Sequence, residues 1–198
     1  MTICPILLAA GQSRRFGGDK LLHSVYHHGQ HQPLILHTLS SWLAVFSELH
    51  LVIRAENHAL RHLLESCAFS SSLRFITATD AHLGMGVSLS CGIRACQTAD
   101  GWLIGLADMP YIDSAVIRDS LRALQNGATI TQAEFEGRRG HPVGFAARFL
   151  PELLALNGDK GARDIIASAG DLITLIPSPN EGIYRDIDVR DDIQPLLS

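Results

Sequence analysis

The chain has 198 residues, 46% of them hydrophobic, with 16 basic and 20 acidic side chains and a net charge of −4. That length gives one domain, residues 1–198, with a sizeable core, and a mildly acidic balance without a basic stripe argues against nucleic acid as the main partner. No apolar run is long enough to span a bilayer, and the start, Met1-Thr2-Ile3-Cys4-Pro5, lacks the basic region of a signal peptide.

In chain order, Ile3–Leu8 is an apolar run that reads as a buried strand. It feeds the stretch Leu8-Ala9-Ala10-Gly11-Gln12-Ser13-Arg14-Arg15-Phe16-Gly17-Gly18-Asp19-Lys20. Its small residues let backbone amides approach a ligand closely, and Arg14, Arg15 and Lys20 add positive charge within one loop. Convergent N–H groups and cations suit a nucleoside triphosphate, whose charge must be neutralised and whose oxygens must be hydrogen-bonded. A Walker A loop would need Gly-Lys-Ser/Thr, whereas Asp19 precedes Lys20 and Leu21 follows it. A dinucleotide fingerprint would need glycine where Ser13 stands. His27, His28 and His31 lie in a polar stretch before Pro33, with no supporting acid or cysteine pattern, and read as histidines of a solvent-exposed loop.

Apolar residues at helical spacing follow over Leu34–Val45, then a strand at Leu49–Arg54, a helix at Ala59–Cys67 and a strand at Leu73–Thr77. Gly84-Met85-Gly86-Val87-Ser88 opens a helix over Val87–Cys96. Ser88 either meets a ligand from that first turn or satisfies local amides. Trp102–Ala107 is a strand that ends in Asp108-Met109-Pro110. A carboxylate at the end of a strand faces the ligand crevice, where a hard oxygen donor suits Mg²⁺, and Asp113 is better placed to cap the helix Ser114–Asn126. A strand at Ala128–Ala133 is followed by Glu134 to Val143, which reads as a turn between strands and contains Gly137-Arg138-Arg139-Gly140-His141-Pro142. Helices at Ala147–Leu156 and Ala162–Ala169 flank Gly158-Asp159-Lys160-Gly161-Ala162-Arg163, and a strand follows at Leu172–Ile176. Near the end, alternation puts Asp186 and Asp188 on one face of a short strand, with Asp191 and Asp192 beyond. The carboxylates there read equally as metal ligands or as the acidic first turn of a last helix.

The alternation of strands and helices predicts α/β architecture: a three-layer α/β/α sandwich around a mostly parallel, Rossmann-like sheet, with ligands at the carboxyl ends of its strands. Cys4, Cys67, Cys91 and Cys96 show no Cys-x-x-Cys spacing, which argues against a zinc site or a redox dithiol. Cys91 and Cys96 read as small core residues of a helix. The expectation is a cytoplasmic protein with reduced thiols.

The first loop, with Leu106-Ala107-Asp108-Met109-Pro110, Gly140-His141-Pro142, Gly158-Asp159-Lys160-Gly161-Ala162-Arg163 and Asp186-Ile187-Asp188, resembles the ordered signature of the MobA-like nucleotidyltransferases, and within them the molybdenum cofactor cytidylyltransferase branch. One departure is Val189-Arg190, where the family has Thr-Pro. The resemblance implies nucleotide contacts from Ala9, Ala10, Gly11, Ser13, Arg15, Lys20, Gly84 and Ser88. It implies Mg²⁺ at Asp108 with Asp188 as a second carboxylate, and acceptor contacts near His141, Lys160 and Arg163. Arg15, Lys20, Asp108 and His141 would then carry catalysis. The implied reaction is attack of an acceptor's terminal phosphate on the α-phosphorus of CTP, or another nucleoside triphosphate, with pyrophosphate leaving. Such a nucleophile is already anionic and needs no general base, so alignment and charge stabilisation suffice. The implied acceptor is molybdopterin carrying molybdenum, with a molybdoenzyme as client. Another small phosphorylated acceptor, or a nucleotide-binding cofactor carrier, fits the same residues. A nicotinamide oxidoreductase is disfavoured by the missing fingerprint.

Overall fold

The computed structural model of the chain describes residues 1–13, 15–27, 29–189 and 192. Arg14, His28, Arg190 and Asp191, which figure in the sequence patterns above, lie outside the described residues.

Strand β1 (Ile3–Ala9) is apolar and buried nearly end to end, as a strand covered on both faces must be. It pairs in parallel with β4 (Leu49–Arg54) on one side and β6 (Gly101–Leu106) on the other. Beyond β4 lies β5 (Leu73–Ala78), also parallel. On the far wing, β8 (Arg138–Ala146) runs antiparallel to both β6 and β7 (Ile130–Phe135), and β9 (Ile173–Pro177) lies parallel to β7. The seven-stranded order is β5-β4-β1-β6-β8-β7-β9, so β8 alone opposes the rest.

Helices cover both faces. One face holds α1 (Leu34–Leu43), α2 (His58–Ser66) and α4 (Ser114–Gln125), and the other holds α3 (Met85–Ala95), α5 (Leu150–Leu154) and α6 (Arg163–Ser168). Each long helix turns an apolar stripe inward. In α4 the stripe is Val116, Ile117, Ser120 and Leu124, at the spacing of one helical face. Asp113 caps α4 by accepting from Ala115 N at 2.7 Å, as expected of it. The three-layer α/β sandwich anticipated from the alternation is therefore present. No helix among the described residues is long and apolar enough to cross a membrane.

Four local expectations are corrected. The histidine-rich stretch is not a loop but a hairpin, β2 (Ser24–His27) with β3 (Gln30–Pro33), antiparallel with Tyr26 opposite His31. Val25 is the buried anchor of the hairpin in the core, and the His27 ring meets Tyr111 edge-on at 5.1 Å. The turn between β7 and β8 is confined to Glu136 and Gly137, both at positive φ, the pairing that a tight hairpin turn requires. Gly140, His141 and Pro142 consequently belong to strand β8. The helices at 147–156 and 162–169 are shorter than their apolar spacing suggests, because a tighter turn takes 147–149 before Pro151 opens α5, and Gly161 at φ 56° precedes α6. Asp186–Asp188 belongs to no strand ladder. Its Ile187 N–H donates to the Asp108 carbonyl at 3.1 Å instead.

Leu7 on β1 has no exposed surface and sits in the largest apolar cluster, with Trp42, Leu51 and Leu103. Leu7→Ala is expected to cost about 2–5 kcal/mol, by lost transfer energy plus an unfilled cavity, measured as a shift in urea midpoint at constant slope. A shift worth under about 1 kcal/mol would mean that the core around β1 collapses to fill the space.

Candidate functional site

Chain direction fixes where the site must be. From β1 the chain moves outward to β4 and β5, then returns to place β6 on the other side of β1. The loops leaving β1 and β6 therefore diverge and open a crevice at the carboxyl ends of these two strands. A cleft of about 400 Å³ lies there, lined from β1 and its loop by Leu8, Ala10, Gly11, Gln12, Ser13, Arg15 and Lys20. Ala81, His82, Gly84, Met85 and Ser88 wall one side, Leu106 and Asp108 form the β6 end, and Asp159 and Asp188 complete it.

The first loop turns back on itself. Ser13 has φ 49°, its carbonyl accepts from Phe16 N at 3.0 Å, and its hydroxyl accepts from Lys20 N at 3.4 Å. Asp19 caps the short turn after it by accepting from Leu21 N at 3.1 Å, and is itself held by Asn57 Nδ2 at 2.6 Å. These contacts fix the backbone from which Lys20 projects.

Lys20 is the electrostatic centre. Its side chain is only 8% exposed, and Nζ stands 2.6 Å from Asp108 Oδ2 and 2.9 Å from Asp188 Oδ1. Burial alone would lower its pKa, but the Asp108 and Asp188 carboxylates outweigh that and hold it above the usual lysine value. Arg15, largely in solvent, pairs with the other Asp188 oxygen at 2.9 Å, an exposed contact that contributes little by itself.

Asp186 joins Asp108 and Asp188. One carboxylate oxygen from each lies within 4.8 Å of the others. Burial, then the charges of Asp108 and Asp188, push the Asp186 carboxyl above the usual carboxylate range. Asp108 Oδ1 is buried with no hydrogen-bond partner. An orphaned carboxylate oxygen beside two further carboxylates is a donor set that fits a hard divalent cation. The family resemblance singled out Asp188 and left Asp186 aside, although both stand in one Asp-x-Asp alternation.

The glycine motif at 84–88 forms a wall by close approach. Gly84 has φ 125°, and a Cβ there would collide with the main chain of Gly158. Gly86 N donates to Gly158 O at 2.8 Å. Thus the Gly-Met-Gly turn and the 157–159 loop, distant in sequence, are pressed together and carry Asp159 into the cleft. The Ser88 hydroxyl lines the cleft while donating to Gly84 O at 3.4 Å, so it serves the local helix turn as well.

Four of the expected residues, Ala9, His141, Lys160 and Arg163, do not line the cleft. Ala9 faces the buried core beneath it. His141 sits on β8, with Nδ1 buried and unpartnered. Burial lowers its pKa against the opposing pull of a main-chain hydrogen bond to Ile104 and the Asp186 charge, while the Arg163 charge lowers it further. The ring is thus within electrostatic reach of the carboxylate cluster and of Arg163. Arg163 lines a second cleft with Arg139, Asp171 and the buried amide of Gln132, whose Oε1 lacks a partner. Lys160 stands apart in solvent, paired with Asp164 at 3.3 Å.

A cleft that sets cations and carboxylates against a tight loop of backbone amides is equipped for chemistry on phosphates, which puts the molecule among the nucleotide-using α/β enzymes. Its sequence narrows the class. The profile of the MobA-like NTP transferase domain matches residues 5–172, and the chain belongs to that family, a family of nucleotidyltransferase enzymes. The purine catabolism protein PucB of Bacillus subtilis (strain 168) is 30% identical over 201 residues, covering 94% of this chain and 92% of its own. Among solved structures, a homolog of Mycobacterium tuberculosis Rv0371c from Mycobacterium sp. strain JC1 is similar with a TM-score of 0.79 and 29% identity, over 96% of this chain and 92% of that one. Rv0371c of M. tuberculosis H37Rv in complex with manganese shares the fold, with a TM-score of 0.75 and 22% identity, over 97% of this chain and 96% of its own.

The half-buried His141 ring carries a testable pH signature. A histidine whose folded pKa is depressed from 6.5 contributes stability that is fully present above the unfolded value and is lost as pH falls below it toward the folded value. Between about pH 7 and 5, His141→Gln should therefore flatten the fall of the urea midpoint relative to the parent chain. Parallel curves would show that the ring is solvated in the folded protein.

Proposed function

We propose that this enzyme transfers CMP from CTP to the terminal phosphate of molybdenum-bearing molybdopterin in a Mg²⁺-dependent reaction that releases pyrophosphate. The observation that carries this reading is the convergence of Lys20 and Arg15 with Asp108, Asp186 and Asp188 in one cleft beneath the 10–13 loop.

In this reading the amides of residues 10–13 and the Lys20 and Arg15 cations bind the β- and γ-phosphates and stabilise the charge that collects on pyrophosphate as it departs. Asp108, Asp186 and Asp188 hold the cation, which when bound neutralises phosphate oxygens. The manganese complex of Rv0371c supports a divalent ion with this fold. The acceptor phosphate is already anionic, so the residues need only hold it in line with the α-phosphorus. Arg139 and Arg163 in the second cleft, with His141 in electrostatic reach of Arg163 and Asp186, are the groups suited to that task. Ala10 lines the cleft, where guanylyl-transferring relatives tend to have glycine. Its Cβ narrows the space for the base and favours a pyrimidine.

Pyrophosphate release with each nucleoside triphosphate, with and without molybdenum-molybdopterin, tests the reaction. Lys20→Ala is expected to lower turnover at least about 100-fold, through loss of a charge-assisted contact in the transition state, with the fold checked by circular dichroism. Near-normal turnover would remove the phosphate role from this loop. Release with a sugar or polyol phosphate instead of molybdopterin would keep the chemistry and change the acceptor. Tight CTP binding without release on any acceptor would mark a carrier.

Base choice is tested separately by competition. CTP should be preferred over GTP by about 1–3 kcal/mol in kcat/KM, and Ala10→Gly should narrow the gap. A GTP preference in the parent chain would overturn the cytidylyl assignment and leave the reaction class standing.

A further inference from the structure

At the opposite edge of the sheet, three residues that sequence spacing leaves unrelated come together. Cys4 lies near the start of β1, His50 near the start of β4, and Cys96 caps the carboxyl end of α3. Because α3 begins at the cleft and runs 11 residues, or about 16 Å, the cluster is well separated from the nucleotide site. Cys4 Sγ lies 3.3 Å from His50 Nδ1, and the Cys4, His50 and Cys96 ligand atoms all fall within 4.8 Å of one another. We propose that Cys4, His50 and Cys96 form a zinc(II) site that staples β1, β4 and α3 together.

The spacing suits the ion. Zinc bonds of about 2.3 Å to sulfur and about 2.0 Å to nitrogen, at tetrahedral angles, set neighbouring ligand atoms roughly 3.5–3.8 Å apart. Small side-chain adjustments bring this cluster to those values. Two soft sulfurs and an imidazole select zinc over Mg²⁺, which requires oxygen. Binding releases two protons to solvent, one from the Cys4 thiol and one shared between Cys96 and His50, and the dication with two thiolates is then a neutral unit, tolerable where both cysteines are buried.

The surroundings are built to hold the ligands still. Cys4 is fixed in the ladder opposite Trp102, and the indole N–H of that tryptophan donates to the Cys96 carbonyl at 3.0 Å. Since His50 turns Nδ1 toward Cys4, its Nε2 faces outward, and Glu48 Oε1 lies 3.9 Å from it. Arg74 holds the other Glu48 oxygen at 2.6 Å. A small side-chain rotation would let that carboxylate accept from the distal nitrogen, the contact that fixes a ligating histidine and raises its basicity. His50 is also partly open to solvent, which leaves room for a water as fourth ligand. The absence of a Cys-x-x-Cys motif says nothing here, because the ligands come from three elements.

The test uses the reduced, chelator-stripped full chain in excess Mg²⁺, so that the carboxylate cluster does not compete. Cobalt(II) titration should give one ion per chain, with an intense thiolate-to-cobalt charge-transfer band and visible bands of tetrahedral strength. One equivalent of zinc should bleach both and raise the melting temperature. Cys4→Ser and Cys96→Ser should each weaken zinc binding more than about 100-fold, Glu48→Gln about 10-fold, and Cys91→Ser not at all. Glu48 is on the surface, so its variant keeps the test decisive if the cysteine variants fail to fold. No charge-transfer band in the unmodified chain, or a band that survives both cysteine substitutions, would overturn the site. A Cys4–Cys96 disulfide formed on mild oxidation of a chain that binds no cobalt would overturn it as well.

Discussion

A buried ammonium between two carboxylates is the constraint on which this site depends. Lys20 has lost most of its water, and a charge so placed is tolerable only when paired and hydrogen-bonded. Asp108 and Asp188 meet that need, and in return Lys20 relieves their mutual repulsion with Asp186. The contact also joins three separate stretches of chain: the loop after β1, the end of β6, and the segment at 186–188. The Ile187 amide bond to the Asp108 carbonyl fixes the last of these in register with the second. Asp19 and Asn57 anchor the loop from outside. Each part holds its position because the others do.

The sheet supplies the rest of the geometry. Strands that diverge from β1 open the crevice, and β8, running against its neighbours, brings its beginning rather than its end to the same edge. That reversal is why Arg139 and His141 stand near residues from the ends of β1 and β6 although they begin a strand. The result is two clefts, one rich in backbone amides with mixed charge, the other flanked by two arginines.

Much of this was legible in the sequence because it is written locally. The Ile3–Leu8 run, the small-residue loop, and Leu106-Ala107-Asp108 are contiguous, and helix and strand periods alternate clearly over most of the chain. The hairpin at 24–33 was not legible. Its residues are polar and histidine-rich, and they form strands because Val25 and His27 pack inward, a tertiary effect that propensity does not contain. Asp186 and Asp188 were visible as a pair, but only the fold shows that both reach Asp108. Gln132, and the cluster of Cys4, His50 and Cys96, gave no local signal, since each meets its neighbours at the site only through other strands and helices. Ala9 carried a family motif yet points into the core, because alternation along β1 gives neighbouring residues opposite faces.

The ion pair between Lys20 and Asp188 spans 168 positions of sequence. A chain is made from its amino end at about 5–20 residues per second, so the basic loop waits on the order of 10–30 s for its last carboxylate. Through that interval the ammonium has Asp108 at most, and the carboxylate cluster is incomplete. An unfinished or prematurely ended chain therefore carries the residues of the small-residue loop without the charge balance that arms it. Assembly of the cleft thus reports completion of the polypeptide to at least residue 188.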